Sequence, residues 1–259
     1  MRCSRFHRER GSLLPGSAPE CRRWVVLSHQ RPWPAKIEKL AQVSALGPDL
    51  KRLGAKLLLA HSSEGGARAI EWREGAVRGG RFATAEEALL FLEGSAPGRQ
   101  EELFLVCTHG SRDGCCGQLG PPVARALEML GAPVLECSHP GGHRFAPTTL
   151  TFPEFGCYGQ LTPDDVPAFL ERQREGMFQP AHYRGALYLD KLSQVAEAAV
   201  WELAGSRPRV SGRDGLRVEL EGVIVQLDPI EFQGIPSCGD EPETMVEHRV
   251  AGIFPGVLQ

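Results

Sequence analysis

Apolar and polar positions recur along this chain with two periods, close to two and close to 3.6, and the changes between them mark out strands and helices. Apolar runs at Trp24–Ser28, Lys56–Ala60 and Arg68–Trp72 predict strands, with a helical connection of about Ala35–Leu53 between the first two. Thr84-Ala85-Glu86-Glu87 has the form of a capping box, and the helix behind it is expected to bury Leu89 and Leu92 and to stop at Gly94. Leu103-Phe104-Leu105-Val106 predicts a strand running into Cys107, and Val134-Leu135-Glu136-Cys137 predicts another. Between them Val123, Ala126, Leu127 and Leu130 repeat at helical spacing, with Pro121-Pro122 expected in the first turn and Gly131 at the stop. Thr148–Phe152 and Cys157–Leu161 form a hairpin pattern around Pro153-Glu154-Phe155-Gly156. Thr162-Pro163-Asp164-Asp165 then caps a helix burying Val166, Phe169 and Leu170. A later helix carries Leu192, Val195, Ala196, Ala199 and Leu203 on one face, and Leu216–Leu227 and Met245–Ile253 alternate as strands.

The pattern is that of an α/β chain in three parts: an α/β region at 1–97, a central unit at 98–205 and a small β extension at 206–259. Met1 to Glu20 mixes basic residues with Gly, Ser and Pro and reads as a tail or irregular lead-in, its arginines solvated. There is no internal repeat and no low-complexity tract. At 259 residues the chain can bury a substantial core.

Charge and leader signals narrow the function classes. A formal net charge of −3 makes no electrostatic case for nucleic acid. No apolar run approaches the ~20 residues that span a bilayer, so no membrane association is expected. Met1 to Arg10 is polar and basic with no apolar stretch behind it, unlike a secretory signal. The expectation is therefore a cytoplasmic, reducing compartment, in which the eight cysteines are not a disulfide framework.

The chemistry gathers between Cys107 and His143. Cys107 and Cys116 have eight residues between them, and His139 and His143 have three. Each pair lies in a loop that follows a predicted strand. In a parallel α/β sheet two such loops leave the same edge side by side, so all four side chains can converge. The second loop, His139-Pro140-Gly141-Gly142-His143, resists regular helix and lets backbone come close to whatever the imidazoles hold. Thiolates with imidazoles suit zinc or iron–sulfur chemistry, not calcium or magnesium. Structural zinc sites usually draw cysteines from a tight knuckle, and the wider Cys-x8-Cys loop better matches a larger group with two metal centres.

Cys107-x8-Cys116, with Ser111-Arg112-Asp113 inside it and Gly117 after it, followed by His139-Pro140-Gly141-Gly142-His143, resembles the sucrase/ferredoxin-like family of thioredoxin-fold ferredoxins. The resemblance covers about residues 100 to 180, with weaker likeness at Pro15 to Trp33 and around Cys238. It implies a [2Fe–2S] cluster bound by Cys107, Cys116, His139 and His143, with Cys116, not Cys115, as the ligand before Gly117. The strand, helix, strand, strand, strand, helix order of the central unit is thioredoxin-like. After the second histidine the family's eukaryotic members carry Lys, an aromatic, Ala, Gly and Asn, where this chain has Arg144-Phe145-Ala146-Pro147-Thr148.

The implied function is one-electron transfer to an unidentified redox partner protein, an electron carrier more than a substrate-turning enzyme. Two neutral imidazoles in place of two thiolates raise the expected potential. With Gly141 and Gly142 giving little cover, the free N–H of His139 or His143 is expected to be exposed and to couple proton uptake to electron uptake. Arg112 and Asp113 are expected to pair within the loop. His109 is expected either to bond a cluster sulfide or to face solvent. Cys137 and Cys157 are expected to be buried strand thiols, and Cys3, Cys21 and Cys238 have no spacing that connects them to chemistry. Three alternatives stand beside this reading: a zinc-binding structural or interaction protein using the same four ligands, a thioredoxin-like thiol oxidoreductase, which would lack a Cys-x-x-Cys motif, and a glycosidase, for which no paired carboxylates are evident.

Overall fold

A computed structural model describes residues 2–256 of the chain, leaving Met1 outside it. Helix α1 (Cys3–Arg10) comes first, followed by β1 (Arg23–Ser28), α2 (Ala41–Leu53), β2 (Ala55–Ala60), β3 (Ala67–Arg73), β4 (Ala76–Phe82) and α3 (Ala85–Glu93). The central unit runs β5 (Leu103–Cys107), α4 (Gly114–Met129), β6 (Val134–Cys137), β7 (Thr149–Phe152), β8 (Gly156–Tyr158), α5 (Val166–Arg174), β9 (Tyr183–Ala186) and α6 (Lys191–Ala204). The extension holds β10 (Val210–Asp214), β11 (Arg217–Leu220), β12 (Val223–Gly234) and β13 (Glu243–Pro255).

Strands β4-β3-β1-β2-β6-β5-β7-β8-β9 make one nine-stranded sheet, and β10 to β13 make a second in sequence order. Strand β5 is buried over its whole length, which is why it reads as an unbroken apolar run and not an alternation. Its Leu105 and Cys107 enter one core and its Phe104 and Val106 the opposite one, where they meet Val123 and Leu127 of α4. β6 lies parallel to β5 and β7 antiparallel to it, with β8 antiparallel to β7. That is the thioredoxin-like order the pattern predicts. β2 meets β6 at Ala60 opposite Cys137, so segments 1–97 and 98–205 share one sheet across their boundary. Residues 206–256 do form a separate antiparallel sheet, which packs with α6 around Val195, Val200, Val218, Leu220, Val225 and Leu227.

Four expectations are corrected. The lead-in is not a tail over Cys3–Arg10: this is a helix with Cys3, Ser4 and His7 buried, too short to stand alone and held by tertiary burial. Helix α4 begins at Gly114, beside Cys116, and Pro121-Pro122 are not in its first turn, because the Asp113 carboxylate accepts from the amides of Cys115 (2.8 Å) and Cys116 (3.4 Å). Both prolines lie inside the helix. On α6 the buried set includes Gln194, Glu197 and Trp201 whereas Leu203 is 75% exposed, since the helix is sandwiched between two sheets and buries more than one stripe. The strand expected over Leu216–Leu227 is broken by a turn at Glu221-Gly222, where Gly222 takes φ +75°.

Candidate metal centre

The register of the sheet brings the two ligand loops together. Cys107 and Cys137 sit opposite one another on parallel β5 and β6, so the loops that follow leave the same sheet edge side by side. Helix α4 then runs back over β5 with Gly120 against the strand: a Cβ there would stand 2.1 Å from the carbonyl oxygen of Cys107. Cys116 lies in the first turn of α4, where the positive helix end favours a thiolate and the Asp113 carboxylate opposes one.

The ligand atoms of Cys107, Cys116 and His139 lie within 4.8 Å of one another. His139 Nδ1 stands 3.6 Å from Cys107 Sγ and 3.7 Å from Cys116 Sγ, and its Nε2 is 3.3 Å from His143 Nδ1. His143 Nε2 donates to the carbonyl oxygen of Pro236 at 2.9 Å, which assigns its proton to Nε2 and leaves a lone pair on Nδ1. His139 Nε2–H then donates to that lone pair, so His139 Nδ1 faces the two thiols as an acceptor. A carbonyl on the far nitrogen is the usual support of a metal-binding imidazole. Burial, followed by the neighbouring His143 ring, depresses the His139 pKa to about 3, and it stays neutral at physiological pH. The Cys116 thiol is pushed far above the ordinary thiol range by its hydrogen bond with Cys107 and by burial, so a metal must displace protons to bind there.

Several neighbours of the four ligands were misread from sequence. His109 neither reaches the thiols nor faces solvent: it is 3% exposed, its Nε2–H donates to Pro34 O (3.0 Å) and its Nδ1 accepts from the amide of His139 (3.2 Å). It positions the histidine loop. Arg112 is exposed and has no ion pair among the described residues, because Asp113 turns inward as the α4 cap. The outer N–H of His143 is not exposed either. The β12–β13 connection supplies the Pro236 carbonyl that receives it, a partner too distant in sequence to be foreseen. Cys137 and Cys157 are buried strand thiols as expected, both with pKa raised by burial, and neither belongs to the ligand group.

In sequence Arg184-Gly185 reads as a turn before the later helix, but both residues lie in β9. Fully buried, Arg184 donates from Nε to Ser17 Oγ (3.0 Å), from Nη1 to Thr148 Oγ1 (2.9 Å) and from Nη2 to Ser17 O. Its guanidinium lies against Gly142, where φ is +73° and a Cβ would come within 1.9 Å of Nη2. Glycine at 142 is thus required by both backbone and space. On the other side of the site, a cleft of about 470 Å³ between α2 and the sheet opens onto His139, Pro140, His109 and Arg112.

Among curated proteins the chain is similar to "Altered inheritance of mitochondria protein 32" of Meyerozyma guilliermondii, 32% identical over 97 residues, 33% of this chain and 34% of the relative. The protein of the same name from Candida glabrata is 26% identical over 107 residues, 35% of this chain and 34% of that one. The chain thus matches about a third of the length of each. Two solved structures, cysteine-to-serine variants of the thioredoxin-like [2Fe–2S] ferredoxin from Aquifex aeolicus, overlay with TM-scores of 0.28 and 0.26 at 16% and 18% identity. They cover 32% and 29% of this chain and 97% and 89% of their own, with scores too low to define a shared fold. A family model matches residues 14–185, which hold all four candidate ligands and both of their loops, and on that match the chain belongs to the sucrase/ferredoxin-like family.

Proposed function

We propose that this protein is an electron-transfer protein whose Cys107, Cys116, His139 and His143 hold a [2Fe–2S] cluster. The observation that carries the reading is the convergence of two thiols and two imidazoles on one sheet edge. The donor set of two thiols and two imidazoles fits the group. Thr108, next to Cys107, adds a buried hydroxyl with no hydrogen-bond partner.

When bound, the cluster supplies one-electron chemistry, and two neutral ligands make it less anionic than an all-thiolate one. The chain's own contribution is to exclude water, to hold the His139 imidazole neutral and to fix the orientation of both rings through His109, Pro236 and Arg184. A redox partner protein would approach at the cleft beside His139, with Glu38, Lys56 and Arg112 on its walls. The N–H of His143 is spent on Pro236, so we infer that His143 takes no part in proton coupling, which would rest on His139 alone. A reducing, cytoplasmic setting accords with eight free thiols, and no helix among the described residues is long and apolar enough to cross a membrane. A thiol oxidoreductase is disfavoured because the adjacent Cys115 and Cys116 sulfurs face different partners, Cys238 and the Cys107–His139 group.

The test is the visible spectrum of anaerobically purified protein with iron and acid-labile sulfide assays. We expect a coloured protein with two of each per chain, colourless after Cys107→Ser or Cys116→Ser and still coloured after Cys115→Ser. A colourless wild type containing one zinc at these residues refutes the cluster.

A further inference from the structure

Cys115 turns away from the ligands just described and into a second group of thiols. Its Sγ is 3.1 Å from Cys238 Sγ and 4.0 Å from Cys3 Sγ, and Cys3 and Cys238 are 3.4 Å apart. The Asp113 carboxylate belongs to the same group, all of whose ligand atoms lie within 4.8 Å of one another. Cys3 and Cys115 are fully buried and Asp113 is 4% exposed. One carboxylate oxygen caps α4, and the other, Oδ2, is buried with no hydrogen-bond partner. A buried carboxylate oxygen left bare costs free energy unless a cation or donor meets it.

From this we propose that Cys3, Cys115, Cys238 and Asp113 form a second metal site, for a divalent cation of zinc's class, separate from the Cys107–His143 centre. The donor set of three thiols and one carboxylate selects a borderline-soft ion. Zinc–thiolate bonds of about 2.3 Å at tetrahedral angles set sulfurs roughly 3.8 Å apart. The observed separations of 3.1 to 4.0 Å bracket that value. Cys3 is the first residue of α1 and Cys115 the second of α4, so two helix N-termini turn their positive ends toward the anionic ligands. Binding forms three metal–sulfur bonds and one metal–oxygen bond and releases three thiol protons to solvent. No electron is transferred. Burial raises the Cys3 and Cys238 pKa values, so the thiols hold those protons until a cation replaces them.

The ion would tie together three segments that are 112, 123 and 235 residues apart in sequence. They are the N-terminal helix, the start of α4 and the β12–β13 connection. That connection also supplies the Ile235 and Pro236 carbonyls that receive His7 and His143. The second site is thus a clasp that keeps the C-terminal extension over the first centre.

The inference does not depend on the [2Fe–2S] reading, and its experiment separates the two. Full-length protein is produced with added Zn²⁺, freed of loose metal and assayed for zinc. One tightly held zinc per chain is expected, lost in Cys3→Ser, Cys238→Ser and Asp113→Asn but kept in Cys107→Ser. Asparagine preserves the α4 cap while removing the anionic oxygen, which guards against simple misfolding. In wild type, a thiol reagent read with a chromogenic chelator should release that zinc as Cys3, Cys115 and Cys238 become modified, as mapped by peptide mass. Absence of zinc from the wild type, a Cys115–Cys238 disulfide in metal-free protein, or zinc lost with Cys107→Ser and kept with Cys238→Ser would each overturn the proposal.

Discussion

Replacing Arg184 by methionine tests how the histidine loop is held. The side chain keeps most of its volume but loses three charge-assisted hydrogen bonds, to Ser17 Oγ, Ser17 O and Thr148 Oγ1. Thr148 also donates to Gly141 O at 3.4 Å, so the arginine supports the loop through Thr148 as well as by contact with Gly142. Bonds to a charged donor contribute about 1.5–3 kcal/mol each, and a partner left bare costs about 1–3 kcal/mol. Against this, the variant no longer buries a cation that has no carboxylate partner among the described residues, and burying a charge is itself unfavourable. The net expectation is a loss of roughly 2–4 kcal/mol, or about 5–15 °C in melting temperature for a chain of this size. Urea titration gives the first number. The second readout is the fraction of visible absorbance retained during purification, which should fall because Gly141 to His143 lose their backing. A variant within about 0.5 kcal/mol of wild type and fully coloured would refute this account of Arg184.

Three further outcomes follow. Gly120→Ala drives a methyl into the Cys107 carbonyl (2.1 Å), so it should displace α4 from β5 and leave little coloured protein; wild-type yield and colour would mean the helix can slide at no cost. Buried His7, bonded to Ser12 and Ile235 O, has its pKa lowered from 6.5, chiefly by burial. Its folded value lies below its unfolded one, so its contribution to stability is full above pH 6.5 and is lost as the pH falls below that value; urea unfolding at pH 7.5 and 5.0 should show a steeper acid loss in wild type than in His7→Gln, and equal slopes would contradict this. Changing both His139 and His143 to cysteine should retain a cluster at lower reduction potential, and in redox titrations any fall of the wild-type potential with pH should persist in His143→Cys and vanish in His139→Cys, since the His143 N–H is bonded to Pro236.

Local patterning was enough to predict most elements of the sheet. β5 has all five residues buried, and a strand buried on both faces needs only an unbroken apolar run to be legible. The paired loops were equally plain, because a strand end, a short spacing and a thiol or imidazole are all local features. Thr84 and Thr162 marked their helices for the same reason: a cap bonds residues three apart.

Partners distant in the chain escaped the reading. Nothing near Arg184 in sequence says that Ser17 and Thr148 receive it, and nothing near His143 says that Pro236 covers it. The cysteines divide along the same line. Cys107 and Cys116 belong to one loop and could be paired by spacing, whereas Cys3, Cys115 and Cys238 come from three separate segments and had no periodicity to relate them. Adjacent Cys115 and Cys116 make the point most sharply: successive residues at a helix start project in different directions, so one sulfur faces the histidines and the other a separate cluster. Sequence alone determined which strands and ligand loops exist; only the packing of α1 and the β12–β13 connection onto the sheet decided what encloses them, because side chains far apart along the chain meet only once the fold has closed.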